Sequence, residues 1–575
     1  MNTETKVCQN CKNKFVIEPD DFGFYEKIKV PPPTLCPRCR SQRRMAWRND
    51  YRFYPRECGL CKKSTLSVYS PDKPVPIYCP KCWWSDAWDA KEYLQELDFS
   101  KTFFEQYRGF LDKVPTLAIL NDNDIASVNC LYTNYFALGK DCYLVINSWK
   151  LENCLYSSFL VDAKDTMDSS VLLENCRSLY SSIFVDNSYQ CKYTYRSSGL
   201  VDCAFCFDCR GCNSCFMCYG LREKNYCYKN KQYTKEEYQK IIDSYSLDSF
   251  SGNERAKREF DEFVLQFPHR YASLRNCVDC TGEYMMNSKN TKNSFIAIRA
   301  EDSKFFDRGD TIKTSYDCLS GGEHELIYES NNADNSRNTA FTNYCHKCTD
   351  VLYSDSCQSC ENVFGCIGLK KAQYCIFNKQ YSKEEYFSLK EKLIEHMKEK
   401  SEWGEYFPIS MSVFGYNETI AQDEYPLAKD KAISLGYNWQ NVMPFTRGAE
   451  TLKEIPDKIE DVPDSIADEI LACRSCSRNY RITKQELILY RKGKIPVPRE
   501  CFYCRFQELQ QRQGPMKLWH RECHCAGGKS ENSRYQNTTP HFHGDKPCPN
   551  EFETAYAPEK PEIVYCEQCY NSEIV

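Results

Sequence analysis

Two cysteine pairs, Cys8-x2-Cys11 and Cys36-x2-Cys39, stand 24 residues apart, and the same arrangement returns as Cys473-x2-Cys476 and Cys501-x2-Cys504. The copies register at a constant shift of 465 positions. Tyr25 falls on Tyr490, Lys27 on Lys492, Lys29 on Lys494, Pro31 on Pro496, Pro33 on Pro498, Arg40 on Arg505 and Gln42 on Gln507. A Cys-x2-Cys unit is a tight knuckle offering two sulfurs to one ion, and two knuckles close the tetrahedral site of structural zinc. One zinc module is therefore expected twice.

Each end carries a second set. Cys58-x2-Cys61 and Cys79-x2-Cys82 are separated by 17 residues, as are Cys548 and Cys566-x2-Cys569, now at a shift of 487. Tyr69, Pro71, Lys73, Pro74 and Tyr78 fall on Tyr556, Pro558, Lys560, Pro561 and Tyr565. The position matching Cys58 at that shift is Asp545, so a thiol is missing there. Cys525 is expected to replace it, with Cys523 the alternative, across an insertion containing His541 and His543. The expectation is about four Zn²⁺ ions on sixteen ligands.

The 38 cysteines admit an oxidised secreted scaffold or a reduced protein with metal sites. The sequence Met-Asn-Thr-Glu-Thr-Lys-Val-Cys has no apolar signal region, and no stretch of about 18 apolar residues exists to span a membrane. A reduced, cytoplasmic protein is expected. Apolar content of 42% and aromatic content of 14% supply real cores and exclude a disordered chain.

The first module, Cys-Gln-Asn-Cys-Lys-Asn-Lys-Phe-Val-Ile, then Phe-Tyr-Glu-Lys and Pro-x2-Cys-Pro-Arg-Cys-Arg, resembles the small bacterial domains known as probable zinc-ribbons. The run from Cys-Arg-Ser-Cys-Ser-Arg-Asn-Tyr-Arg-Ile to Pro-Arg-Glu-Cys-Phe-Tyr-Cys-Arg does so too. Over most of its length the chain resembles the cysteine-rich zinc-binding proteins of candidate-phyla bacteria. That resemblance implies zinc binding and supplies no activity to carry over.

The middle is duplicated as well. Tyr226 to Tyr238 (YCYKNKQYTKEEY) recurs as Tyr374 to Tyr386 (YCIFNKQYSKEEY), 148 residues on. Thr234 with Glu237, and Ser382 with Glu385, are capping boxes that predict a helix after each. Asn129-Cys130-Leu-Tyr, Asn153-Cys154-Leu-Tyr and Asn175-Cys176 recur at spacings of 24 and 22, and Cys142, Cys191, Cys203, Cys215 and Cys227 fall at steps near 12. Short Tyr/Leu/Val/Ser/Cys segments broken by Asn or Asp read as strands at solenoid spacing. Helical spacing is also expected over 253–267, and in Pro-bounded segments of 401–472 that include 464–473.

Cys203, Cys206, Cys209, Cys212, Cys215 and Cys218 recur every third residue. They read as small apolar side chains filling a narrow interior, with an additional metal site or redox chemistry as alternatives. Residues 1–63 hold fourteen Lys/Arg and seven Asp/Glu in a chain of net charge −5. Arg38, Arg40, Arg43, Arg44, Arg48 and Arg52, interleaved with Trp47, suit phosphates and unpaired bases. The competing reading has Arg38 and Arg40 bracing the knuckles while the aromatic residues pack the two zinc modules together. His541-Phe-His543 invites a catalytic zinc, yet three thiolates leave a weak Lewis acid, and a structural site is preferred. No phosphate loop, Gly-x-Ser-x-Gly elbow or His-Glu-x2-His appears.

The expected fold is multidomain and mainly β. It has zinc-ribbon or treble-clef-like modules at 1–56, 57–86, 473–515 and 516–575, and a duplicated cysteine-rich parallel β-solenoid at 115–233 and 271–381. A helical linker is expected at 87–114, a helical hairpin at 234–270, a capping helix at 382–400 and a mixed linker at 401–472. The metal ligands are Cys8, Cys11, Cys36, Cys39, Cys58, Cys61, Cys79, Cys82, Cys473, Cys476, Cys501, Cys504, Cys525, Cys548, Cys566 and Cys569. The expected function is a non-enzymatic zinc adaptor touching RNA or a ribonucleoprotein, with no small-molecule substrate. The alternatives are a pure protein–protein scaffold and, behind it, a thiol or metal-dependent enzyme.

Overall fold

In the computed structural model residues 2–122 and 125–574 are described, and their architecture is mainly β. Its dominant habit is a backbone that turns every third residue. Asn147, Lys150, Asn153, Tyr156, Phe159, Asp162, Asp165, Asp168 and Val171 all have φ between 48° and 58°. Such left-handed positions cost about 1–3 kcal/mol each for a residue with a side chain, least for Asn and Asp. Here each turn places its N–H against a neighbouring stretch of the same chain. Asn153 donates to the Lys140 carbonyl (2.9 Å), Tyr156 to Tyr143 (3.0 Å) and Asp165 to Glu152 (3.0 Å). Those bonds repay the strain, and the chain lies alongside itself at a register of twelve: Cys130 opposite Cys142, Cys206 opposite Cys218, Cys215 opposite Cys227.

Two eleven-stranded sheets result, one from Val128–Leu131 to Lys231–Gln232 and one from Leu274–Arg275 to Lys379–Gln380. Both are parallel until a final antiparallel hairpin. Each then runs into its expected capping box: Thr234 and Glu237 open helix Lys235–Tyr245, and Ser382 and Glu385 open helix Lys383–Glu399. Helix Phe250–Val264 also follows expectation. The segment 464–473 departs from it. Only a 3₁₀ turn, Asp464–Asp468, forms, and Leu471–Ala472 instead pairs with Asn479–Tyr480 to build the hairpin that presents Cys473.

Inside the turns sit thiols, hydroxyls and aliphatic groups. Cys203, Cys206, Cys209, Cys212, Cys215 and Cys218 are all buried, and each sulfur lies 3.3–3.7 Å from the carbonyl two residues before it. Burial pushes the Cys191 thiol up to about 12. The six side chains pack together in the interior as small apolar groups.

The chain divides into two compact units, each discontinuous. Residues 1–120 join 274–443, so the N-terminal cysteine modules belong with the second sheet; residues 121–273 join 444–575, so the C-terminal modules belong with the first. In the first unit Phe24 stacks on Tyr316 (4.0 Å), and Trp83 and Trp88 pack with the buried thiols Cys345, Cys348, Cys357 and Cys360. In the second, Tyr156 donates to Glu486 (2.7 Å), and strand Ile563–Tyr565 pairs with Pro268–Arg270.

One device joins module to sheet in both units. Arg40 donates to the Leu35 carbonyl (2.6 Å), forms an ion pair with Asp317 (2.8 Å) and lies 5.3 Å from the Phe305 ring centroid. Arg505 donates to Glu500 (2.8 Å), pairs with Asp168 (3.0 Å) and lies 4.7 Å from Tyr156. Arg40 and Asp317 are buried, and Arg44 shares the same carboxylate at 3.2 Å. Removing one partner from such a group leaves a buried charge uncompensated, at about 3–5 kcal/mol. Asp317→Ala should therefore lower the unfolding free energy by that amount, read as a fall in the urea midpoint of the full chain. Glu96→Ala, which removes the exposed pair with Lys379, should leave the midpoint unchanged.

Candidate metal centres

Each cysteine module begins with a hairpin whose turn is the first knuckle. Strands Glu4–Val7 and Lys14–Ile17 present Cys8 and Cys11, and Tyr54–Glu57 and Ser64–Ser67 present Cys58 and Cys61. In the first three modules the residue after the first knuckle turns left-handed, at Lys12, Lys62 and Ser477 with φ of 63°, 61° and 58°. The second knuckle starts a helix. Cys36, Cys79 and Cys501 are the N-caps of Pro37–Met45, Pro80–Trp83 and Phe502–Gln513. A helix N-terminus favours negative charge, and these place cysteine sulfurs there.

Four cysteine quartets emerge: Cys8, Cys11, Cys36, Cys39; Cys58, Cys61, Cys79, Cys82; Cys473, Cys476, Cys501, Cys504; and Cys523, Cys548, Cys566, Cys569. Sulfur separations are 3.7 Å for Cys11–Cys36, 4.0 Å for Cys61–Cys79, 3.7 Å for Cys473–Cys504 and 3.8 Å for Cys548–Cys566. A tetrahedron about an ion held by sulfur at the ~2.3 Å typical of zinc has edges of about 3.8 Å. A disulfide needs about 2.05 Å, and all 38 cysteines are free. The quartets fit a four-coordinate metal ion.

Further donors point at the sulfurs. Cys36 N–H reaches Cys8 Sγ (3.3 Å), Cys79 N–H reaches Cys58 Sγ (3.3 Å) and Asn10 Nδ2 reaches Cys39 Sγ (3.4 Å). Burial works against ionising Cys58, yet the backbone N–H groups of Cys61, Cys79 and Leu60 bring it down to about 7. Bonds of this kind orient metal ligands and stabilise thiolate charge.

The fourth quartet corrects the expected ligand. Cys523, not Cys525, completes it. Cys566 N–H donates to Cys523 Sγ (3.2 Å), repeating the bond from Cys79 to Cys58. Cys523 N–H donates to the Asn550 carbonyl (3.0 Å), as Cys58 does to Lys63 (2.9 Å). The sequence held the signal: Arg56-Glu57-Cys58 falls on Arg521-Glu522-Cys523 at the original shift of 465. The later shift of 487 means that 22 residues were inserted inside the knuckle itself, between its two cysteines. Counting back from Cys548 alone therefore lands on Asp545. Cys525 lies within the insertion, 3.1 Å from His541 Nδ1.

Of the six arginines expected to meet nucleic acid, five face carboxylates. Arg40, Arg43, Arg44, Arg48 and Arg52 are buried, as is Trp47. Besides Arg40, Arg43 pairs with Glu329 (2.8 Å) and Glu405 (2.9 Å), Arg44 with Glu329 (3.4 Å), Arg48 with Asp50 (2.6 Å) and Arg52 with Asp423 (3.1 Å). Trp47 packs 5.3 Å from Phe407. Arg38 alone of the set is exposed, beside Tyr425 at 5.4 Å. Composition showed the charge but not the acids, which lie 250 or more residues away for Arg40, Arg43, Arg44 and Arg52.

No family model matches the chain, and no curated protein is significantly similar to it. Among solved structures it aligns with a protein of Desulfovibrio desulfuricans G20 whose title gives a provisional acetyltransferase assignment. The identity is 9%, the TM-score is 0.09, and the alignment covers 41% of this chain and 63% of that one. A likeness at that score carries no argument.

Cys36→Ser opens the first quartet and should lower bound metal by about one ion per chain. Cys212→Ser, in the buried thiol series, should leave metal content unchanged while removing one thiol from a denatured-state titration.

Proposed function

We propose that this is a non-enzymatic zinc-binding scaffold, related to the cysteine-rich zinc-binding proteins that it resembles over most of its length and working in a reduced cytoplasm. Its two sheets are successive coils of cysteine-rich β-solenoids, held rigid by zinc modules and offered as surfaces to a protein partner. The observation that carries this reading is the set of four complete sulfur quartets, each a closed donor set with no place left for substrate. The anchoring of Arg40 and Arg505 gives these ions a structural task, transmitting the rigidity of a metal centre to the sheet beneath. Solenoids present long surfaces, and their repeats suit binding rather than chemistry.

The RNA-contacting form of the adaptor has less support, because a guanidinium paired with a buried carboxylate gives up the charge a phosphate would need. Elemental analysis of the freshly purified full chain should give zinc at four or more ions per chain, and iron as the main metal would overturn the assignment. At low salt the chain should not be retained on single-stranded RNA. Salt-sensitive retention abolished by Arg43→Gln and Arg44→Gln would favour the RNA reading instead.

A further inference from the structure

The 22 residues inserted into the last knuckle bring a second donor group beside the fourth quartet. Cys525, His541 and His543 converge on Cys569, which already belongs to the quartet with Cys523, Cys548 and Cys566. We propose that Cys569 bridges two zinc ions, so that the C-terminal module holds a binuclear centre with Cys525, His541 and His543 completing the second ion. This rests on the zinc reading of the quartets and extends it to a fifth ion.

The ligand count closes. Two four-coordinate ions sharing one ligand need seven, and the two groups together supply Cys523, Cys548, Cys566, Cys569, Cys525, His541 and His543. Without sharing, the second group would lack its fourth donor. Five thiolates against two divalent ions leave one net negative charge, less than the two left by an isolated quartet.

Both imidazoles are set for metal. His541 places Nε2 2.8 Å from Glu573 Oε1, with both side chains shut off from solvent, and turns Nδ1 toward Cys525 Sγ at 3.1 Å. His543 places Nδ1 2.6 Å from the Lys546 carbonyl and turns Nε2 toward Cys569 Sγ at 3.3 Å. An oxygen acceptor lies behind each ring, which suits an N–H there and would leave the lone pair on the nitrogen that faces sulfur. A carboxylate or carbonyl behind a histidine is the usual support of a metal-bound imidazole.

The thiolate is supported too. Asn537 Nδ2 donates to Cys525 Sγ (3.2 Å) and to the Gly527 carbonyl (2.6 Å), while its Oδ1 accepts from Tyr565 (2.8 Å), which fixes the amide's orientation. Cys548 N–H donates to the Cys525 carbonyl (2.8 Å), tying the insertion to the quartet. Gly527, at φ 97°, permits the close approach of Asp545, whose carbonyl oxygen would lie 2.5 Å from any Cβ there. The N-terminal equivalent, Cys58-x2-Cys61, has no room between its cysteines for such donors.

The full chain, purified in zinc, should bind five ions, and His541→Ala with His543→Ala should bind four. Loaded with Co²⁺, the wild type should show magnetic coupling between two ions through the shared sulfur. The double variant should show four isolated centres. A wild-type count of four, unchanged in the double variant, would overturn the fifth ion and leave the quartets standing. A count near zero would remove the quartet reading itself. Five uncoupled Co²⁺ ions would overturn the bridge. The wild-type count and coupling do not depend on any variant folding.

Discussion

Everything in each unit turns on one buried guanidinium. Arg40 and Arg505 begin at a cysteine knuckle, brace the loop that carries it, and end on an aspartate of the sheet with an aromatic ring beneath. A lone charge in such a place would be prohibitive, and an ion pair there gives little net stability over an apolar substitute. Its value lies in geometry. A bidentate, planar cation accepts few alternative partners, so the pair fixes where the module docks and which turn of the sheet it meets. A metal ion held by the quartet would then matter to the sheet as well as to the cysteine module, since the arginine's placement depends on the knuckle that the quartet closes.

The sheets solve a different problem. A backbone that turns left-handed every third residue is costly for ordinary side chains, yet Tyr156, Phe159 and Val171 adopt it beside Asn and Asp. What makes this stable is repetition: each turn's N–H finds a carbonyl on the adjacent stretch, and the residue after the turn puts a thiol, hydroxyl or aliphatic group inside. Cysteine suits the interior because it is small, apolar enough to bury and able to point a weak S–H at a nearby carbonyl. The same residue type that builds the candidate metal centres at the ends therefore serves as filler in the middle.

Much of this was legible in the sequence. The quartets were visible because a Cys-x2-Cys spacing is local and metal geometry leaves little choice. The capping boxes at Thr234 and Ser382 were equally local, and the twelve-residue step of Cys191, Cys203, Cys215 and Cys227 is the register of the parallel strands. What escaped was non-local. The carboxylates that take up Arg40, Arg43 and Arg44 lie in another segment, and nothing in an arginine-rich stretch says whether its partners are phosphates or distant acids. Cys523 was ranked behind Cys525 for a subtler reason: the insertion splits a knuckle, so two shifts apply to one module, and the later shift hides the first cysteine.

The pairing of the first module with the second sheet has a consequence for synthesis. Arg40 meets Asp317, which is translated 277 residues later, an interval of roughly 15–55 s at about 5–20 residues per second. Throughout that interval the leading segment has no sheet to dock on and carries a dense set of uncompensated guanidinium groups near the ribosome. Under the zinc reading proposed above, early capture of the ion by Cys8, Cys11, Cys36 and Cys39 would give the nascent segment a fold of its own while it waits, and the supply of the ion during translation would govern how much of the chain reaches its proper partner.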